Sequence, residues 1–382
     1  MLLTIILTSL AILSFALVFW QFIAARTFPL HQRIADAGFS PAISLLKPLK
    51  GCDATTAVSL ESWFNQNYPG ATQILFGVAR AEDPVCALVR ELIQKYPKAD
   101  AQLLICDETL GANAKISTLI QLERAARHDL ILTSDADVRV SPDFLGNVVA
   151  PLRRPEIALV NCFYRLANPS TRAMQWEAVA INADFWSQVL QSRTLRPLDF
   201  ALGAAILLRR KSLQAAGGFR AVADCLADDY EIGNKIAKNG GQIALCPVVV
   251  ECWDAPINWR HAWKHQLRWA RTIRICQPLP YFFSILSNAT LWLVLWLVVS
   301  LIWAKTLFDP LAAVTLIFGR IVIAQDLQRL LLESHQKPAP FWLVPVKDLL
   351  QGAIWAAAFF GNQIEWRGQT MRLRRNGELE RV

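Results

Sequence analysis

The stretch Leu130 to Val140, reading LILTSDADVRV, limits the fold of this chain more than any other. Its apolar start, Leu130 to Leu132, follows charged and polar residues, which is the pattern of a buried strand in a parallel sheet. The strand then runs into Ser134-Asp135-Ala136-Asp137. Two carboxylates one residue apart, at the C-terminal end of such a strand, stand where open α/β sheets bind ligands. Both are charged at neutral pH and need a positive partner. Hard oxygen ligands suit Mg2+ or Mn2+, and such a cation can hold a diphosphate. The same D-x-D spacing also occurs in solvated strand-to-loop transitions, so the surrounding pattern has to decide.

That pattern is a strand–helix alternation. Strands are expected at Pro41 to Leu46, Gln73 to Val78, Ala101 to Ile105 and Leu130 to Thr133. Helices are expected at Ser59 to Asn65, Val85 to Tyr96 and Asn113 to Ala126, the last with Lys115 near its start. The second strand ends in Ala79-Arg80-Ala81-Glu82-Asp83-Pro84, another acidic group at a strand's C-terminal end. Alternation of this kind predicts an α/β, doubly wound sheet of nucleotide-binding type. There is no G-x-G-x-x-G, which argues against an ordinary dinucleotide fold. There is no Gly-rich loop ending in G-K-[ST], so this is not a P-loop enzyme. Beyond the acidic centre, a strand is expected at Ile157 to Tyr164. A helix follows at Thr171 to Leu190, with Trp176, Ile181, Phe185 and Trp186 serving the core, partial membrane embedding or an acceptor wall. Gly203 sits inside the apolar run Asp199 to Leu208, where close approach of a ligand is one reason for a glycine. Ala227-Asp228-Asp229-Tyr230-Glu231 opens a further helix, and its acidic residues suit a helix N-terminus as well as a catalytic site.

The rest of the chain belongs with a membrane. Hydrophobic residues make up 54% and charged ones 18%, a composition more apolar than that of a soluble domain. Leu2 to Ala24 is almost wholly apolar and reads as an uncleaved anchor. Arg26, His31 and Arg33 follow it, which by the positive-inside rule places the next domain in the cytoplasm. Phe282 to Trp303 is expected to span. Leu311 to Ala324, extended to Leu332, is a weaker candidate. Phe341 to Phe360 is a third, in spite of Lys347 and Asp348. The basic tail, with Arg367, Arg372, Arg374 and Arg375, then counts to the outer side, against the charge rule. The expected organisation is an anchor (1–25), a cytoplasmic catalytic domain (38–255), an interfacial basic-aromatic helix (256–281), a membrane region (282–360) and a basic tail (361–382). The formal net charge of +8 suits anionic lipid headgroups or an anionic nucleotide. No recognised nucleic-acid module is present. The 8 cysteines lack metal-ligand spacing and are expected to be reduced.

From Trp259 the chain carries Arg260, His261, Trp263, Lys264, His265, Gln266, Arg268, Trp269, Arg271 and Arg274. Helical spacing puts Lys264, Arg268, Arg271 and Arg274 on one cationic edge, suited to snorkelling at an interface or to gripping a diphosphate. The acidic clusters and this helix together suggest sugar transfer from a nucleotide donor to an alcohol. Asp83 would bind the base or ribose, and Asp135 and Asp137 would hold the cation. Asp229 would be the base, with Asp228 its competitor. Gln266, Arg268 and Trp269 would close over the leaving group and acceptor.

The same residues resemble the ceramide glucosyltransferase family, membrane members of the glycosyltransferase-A group. The likeness covers nearly the whole chain. It includes Lys47-Pro48-Leu49-Lys50-Gly51, Asp83-Pro84, Asn113-Ala114-Lys115-Ile116, Asp228-Asp229-Tyr230, the Q-x-x-R-W of Gln266-Leu267-Arg268-Trp269, and Ile364-Glu365-Trp366-Arg367-Gly368. The resemblance implies a glycosyltransferase-A domain with N- and C-terminal transmembrane helices, UDP-glucose as donor, ceramide as acceptor, Mg2+ or Mn2+, and inversion. It suggests Asp83 for the uridine, Lys115 near the diphosphate, Asp135 for the metal and Asp229 as base; Arg271, on the cationic edge, is a further candidate for donor binding. Two positions depart from the eukaryotic pattern, which has Gly at Asp137 and Glu at Asp228. The chain is at least as similar to a bacterial hopanoid-modifying branch, for which UDP-N-acetylglucosamine and a polyol-tailed hopanoid would be the substrates. A bacterial inner-membrane enzyme is implied. A processive polysaccharide synthase shares the acidic triad and Q-x-x-R-W but normally needs more spans.

Overall fold

The computed structural model describes residues 2–303, 306–333, 336–366, 369–374 and 377–381. Arg367, Gly368 and Arg375 of the expected motifs lie outside the described residues. The chain forms two compact units. One comprises Pro29–Asn168, Pro197–Ala255 and Thr370–Val382; the other comprises Met1–Phe28, Pro169–Arg196 and Pro256–Gln369. Within 38–255, Pro169–Arg196 groups with the helical unit.

The first unit is built on an eight-stranded sheet. Its strands are β1 (Ile43–Leu49), β2 (Thr72–Val78), β3 (Asp100–Ile105), β4 (Leu130–Ser134), β5 (Val138–Arg139), β6 (Ile157–Leu166), β7 (Ala205–Arg209) and β8 (Gln242–Cys252). The order across the sheet is β3-β2-β1-β4-β7-β6-β8-β5. β1 to β4 are mutually parallel, as the strand–helix alternation requires. β7 inserts antiparallel beside β4, so the sheet is mixed rather than parallel throughout. β1 is buried along its whole length, as expected of a strand covered on both faces. Ile43, Leu45, Ile74, Phe76 and Leu132 supply one core, and Leu46, Leu75, Ile131, Leu159 and Ile206 the other. The two-residue period thus splits each strand between two helix-covered faces.

β5 escapes the sequence because two residues carry no periodicity. It exists through pairing, with Val138 opposite Cys252 and Arg139 opposite Glu251 on β8. That pairing bends the chain directly after Asp137. The Trp63 indole N–H, donating to the Val138 carbonyl at 3.0 Å, fixes the bend from the other side. Strand Leu379–Arg381 pairs antiparallel with Gln369–Leu373 and also stitches to the loop before Asp228. There, Leu226 N–H donates to the Gly377 carbonyl (3.2 Å) and Leu379 N–H to the Asp224 carbonyl (2.7 Å).

In the helical unit, Leu2–Thr27 and Phe308–Leu332 are long and apolar enough to cross a membrane. The expected span Phe282 to Trp303 is broken, with Pro278–Ser287 and Ala289–Trp303 meeting at 48°. Asn288 explains the break. Its side-chain oxygen accepts from Leu291 N–H (3.2 Å), and its amide donates to the Asp348 carbonyl (2.6 Å). Helix Leu343–Ala357, of 15 residues, reaches only about 22 Å at 1.5 Å per residue, short of a hydrocarbon core. The expected helix Thr171 to Leu190 runs as Arg172–Val179, a π-helical turn Ala180–Phe185, and Trp186–Leu195. Trp176, Ile181 and Trp186 on it are buried.

The π-helical turn carries Asp184 into a buried ionic quartet. Arg320 donates to Asp184 (2.9 Å) and to Asp348 (3.0 Å). Lys347 pairs with Asp348 (2.6 Å) and with Asp184. Thr290 Oγ1 donates to Asp348 at 2.5 Å. All four charged residues are under 9% exposed. The charges that counted against the Phe341 to Phe360 segment are thus neutralised in place, as ionisable residues in membrane segments generally are. Removing one member leaves an uncompensated buried charge. Arg320→Leu should therefore cost on the order of 3 kcal/mol and lower the melting temperature in detergent. Arg320→Leu combined with Asp184→Asn should recover part of the loss, and equal melting temperatures for single and double variants would contradict the quartet's role.

Candidate active site

The acidic centre forms because β4 ends at Ser134 and the bend into β5 holds Asp135 and Asp137. Beneath them lies Lys47, from the middle of β1 and fully buried. Its ammonium donates to the Asp135 carbonyl (2.7 Å) and to Ser134 Oγ (3.3 Å), and sits 4.8 Å from the Trp63 ring centroid. Burial pulls the Lys47 amine down to about 7, against the opposing pull of Asp137 and Asp135. Sequence reading gave Lys47 no role of its own. The available signal was a lysine inside the apolar run ISLLKPL, where a charge is costly unless it has partners.

Asp137 shows the complementary perturbation. Poor hydration and the nearby carboxylates of Asp135 and Asp254 push its carboxyl up to about 7, with Lys47 opposing. Carboxylate oxygens of this kind suit a hard divalent cation. Among the described residues no group of three or more His, Cys, Asp or Glu side chains is arranged to hold a metal. Asp135 and Asp137 would therefore need donor oxygens from elsewhere to complete a coordination shell.

Lys115 joins two of the expected acidic clusters. Asn113 caps its helix, Ala114–Ala125, by accepting from Ile116 N–H. The Lys115 ammonium then lies 2.7 Å from Asp135 Oδ1 and 3.2 Å from Asp228 Oδ2. Burial alone would lower its pKa, but Asp135 and Asp228 outweigh that and raise it. The Asn113 amide also donates to the Cys225 carbonyl at 2.8 Å, tying the Lys115 helix to the loop before Asp228.

Asp228 and Asp229 begin helix Asp228–Lys238. Tyr230 N–H donates to Asp229 Oδ1 at 2.8 Å. Poor hydration and the adjacent Asp228 push the Asp229 carboxyl up to about 6, with Lys115 opposing. Gly203 lies against this carboxylate: a Cβ at that position would stand 2.7 Å from Asp229 Oδ2. The close approach expected at Gly203 is therefore that of a protein carboxylate. Asp83 stands apart from this cluster, in the loop after β2. Its carboxylate accepts from Gly51 N–H (3.0 and 3.1 Å) and Val85 N–H (3.1 Å), joining two strand-end loops.

The Gln266-Leu267-Arg268-Trp269 motif lies on helix Trp259–Cys276 of the helical unit. Gln266 is buried and donates to Glu177 Oε1 at 2.8 Å. The Trp269 ring packs against Phe185 and His265. The expected cationic edge has partners within its own unit. Lys264 pairs with Glu365, and Arg274 donates to Asn362 Oδ1 at 3.0 Å. Arg271, expected near the diphosphate, donates to the Phe360 (2.7 Å) and Gln363 carbonyls.

The sequence profile of glycosyl transferase family 21 matches residues 6–379. The chain belongs to glycosyl transferase family 21. Ceramide glucosyltransferase 3 of Caenorhabditis elegans is 26% identical to this family 21 chain over 247 residues, covering 62% of the chain and 53% of that relative. An N-acetylglucosaminyltransferase of Bradyrhizobium diazoefficiens is 23% identical over 244 residues, 61% of the chain and 49% of the relative. The matched stretches thus span about half the length of these relatives. Among solved structures, the mannosyltransferase PcManGT of Pyrobaculum calidifontis, in complex with GDP-mannose and Mn2+, superposes with a TM-score of 0.57. The identity is 18%, covering 94% of the family 21 chain and 98% of the mannosyltransferase. The fold is of the glycosyltransferase-A kind, with apolar helices on both sides in sequence.

The packing of Gly203 on Asp229 makes a direct test. Gly203→Ala should displace the Asp229 carboxylate and reduce sugar transfer by tenfold or more while leaving the melting temperature within a few degrees. Transfer at the wild-type rate would show that the contact does not set the position of Asp229.

Proposed function

We propose that this enzyme transfers one glucose, with inversion, from UDP-glucose to a hydroxyl of a ceramide-like membrane lipid. The observation that carries the reading is the pairing of Asp135 and Asp228 on the Lys115 ammonium, with Asp229 next to Asp228 and its carboxyl raised to about 6. A carboxylate tuned upward toward neutrality is suited to accept a proton from an attacking alcohol. Asp229 is the base, and Asp228 tunes it. Asp135 and Asp137 hold Mg2+ or Mn2+, which when bound supplies Lewis-acid stabilisation of the departing diphosphate. Lys115 can exchange its carboxylate partners for phosphate oxygens. Asp83 receives the uridine. Arg268 and Trp269, helped by Gln266, are assigned to the leaving diphosphate and the acceptor, and Arg271 to donor binding, on the sequence pattern of their helix. The mannosyltransferase that shares the fold was solved with Mn2+ and a nucleotide sugar, which supports the cation and the donor class. The enzyme sits as a multi-pass protein in the bacterial inner membrane, its sheet unit cytoplasmic. A second reading is transfer of N-acetylglucosamine from UDP-N-acetylglucosamine to a hopanoid polyol, favoured by the likeness to the Bradyrhizobium N-acetylglucosaminyltransferase.

The identity of the product decides between them. Full-length protein in lipid-detergent micelles, given both UDP-sugars, Mg2+ and both lipid alcohols, should yield a monohexosyl ceramide by mass spectrometry. An N-acetylhexosaminyl triterpenoid would transfer the assignment to the second reading, and a polymer would overturn both.

The pH profile tests the base. Asp229 must be ionised to act, so kcat/KM should fall as pH drops through about 6 and level off above it. Asp228→Asn removes the neighbouring negative charge and should move that limb to lower pH. Lys115→Met removes the opposing positive charge and should move it to higher pH. Asp229→Asn should abolish transfer but keep UDP-sugar binding. A limb unmoved by either neighbour would exclude Asp229 as the titrating group.

A further inference from the structure

Inside the helical unit a carboxylate outside the acidic centre is buried with an unusual pair of partners. Glu177, on helix Arg172–Val179, is 1% exposed. One of its oxygens, Oε1, accepts from His265 Nδ1 at 2.6 Å and from Gln266 Nε2 at 2.8 Å. A buried carboxylate is costly unless satisfied. An ion pair with Arg or Lys would be the ordinary structural solution. Here the donors are consecutive residues of another helix, one of them the first residue of Q-x-x-R-W. Consecutive side chains leave a helix about 100° apart, so one oxygen holding both fixes the helix's rotation at that point.

The consequence falls on His265. Its side chain is one-third exposed, and its ring meets Trp269 edge-on at 4.9 Å. With Nδ1–H committed to Glu177, the neutral imidazole carries its lone pair on Nε2. Among the described residues Nε2 has no hydrogen-bond partner. A carboxylate-oriented imidazole of this kind presents an acceptor of fixed direction next to an indole face. That combination suits a polar head bearing a hydroxyl or amide N–H on an apolar body.

We propose that Glu177, His265 and Trp269 form a lipid-acceptor subsite. His265 Nε2 accepts a hydrogen bond from a hydroxyl or amide N–H of the acceptor's head, and Trp269 packs against its apolar part. Glu177 is a positioning residue that fixes both the His265 tautomer and Gln266. The inference rests on the lipid-glycosylating reading above and adds the group that receives the acceptor's head.

The test uses full-length protein in micelles and whichever of a short-chain ceramide or a polyhydroxylated hopanoid the wild type glycosylates. His265→Ala should raise the KM for that lipid roughly tenfold, the scale of one hydrogen bond. It should leave the KM for the UDP-sugar and the slow hydrolysis of UDP-sugar without acceptor unchanged. Glu177→Ala should raise the same acceptor KM and, because it also releases Gln266, lower turnover; Glu177→Gln, which keeps an oxygen for Nδ1–H, should recover most of both. His265 is partly exposed, so its variant keeps the test intact if Glu177→Ala fails to fold. An acceptor KM within twofold of wild type in His265→Ala, or a parallel loss of donor hydrolysis, would overturn the subsite. Failure of the wild type to glycosylate either lipid would instead overturn the reading on which it rests.

Discussion

Carboxylates crowded into a poorly hydrated space repel one another, and the arrangement of the sheet unit follows from how that repulsion is relieved. Asp135, Asp137, Asp228 and Asp229 come from two distant parts of the chain, and two lysines compensate them from within the protein. Lys115 lies between Asp135 and Asp228. Lys47 works from below, through the Asp135 backbone carbonyl and Ser134. Burial, helped by the neighbouring carboxylates, still holds the Asp137 and Asp229 carboxyls up, to about 7 and about 6. Such perturbations are common where charge is kept ready for a ligand or a proton. The cost is met by the fold around it: the two-sided core of β1 and β4, the Trp63 bond that sets the bend after Asp137, and the cap that Asn113 gives the Lys115 helix.

Much of this was legible from the chain. The alternation from Pro41 to Thr133 identified the four parallel strands because each is a short apolar run closed by turn residues. The D-x-D, Lys115 and Asp228-Asp229 could be singled out because charged residues at strand ends and helix starts are conspicuous in a half-apolar sequence. What escaped has a common cause in pairing and contact. β5 is only two residues long and exists through β8. β7 runs antiparallel because of its neighbours, which no local pattern encodes. Gly203 read as room for a ligand, whereas the space faces Asp229. Glu177 drew no attention in a helix read for its tryptophans, and its partners lie nearly ninety positions further along the chain.

The membrane segments show the same limit in another form. Hydropathy located them, but length and side-chain chemistry decided their shape. Asn288 divides a run that looked continuous, by capping one segment and bonding to the backbone of another. Lys347 and Asp348 looked like defects in a span. They are half of a neutral quartet completed by Arg320 and by Asp184 on a π-helical turn. A π-turn places one extra residue in a helix and redirects the side chains after it, and here the turn carries one of the quartet's two carboxylates.

The stitch between Gly377–Leu379 and Asp224–Leu226 has a practical side. Those backbone bonds clamp the loop that delivers Asp228 and Asp229 from a place far from either in sequence. Proline in place of Leu379 would remove the N–H that donates to the Asp224 carbonyl and slacken that clamp without touching the acidic group itself. Two chains that differ only at that strand can thus differ in turnover while their far-ultraviolet spectra coincide.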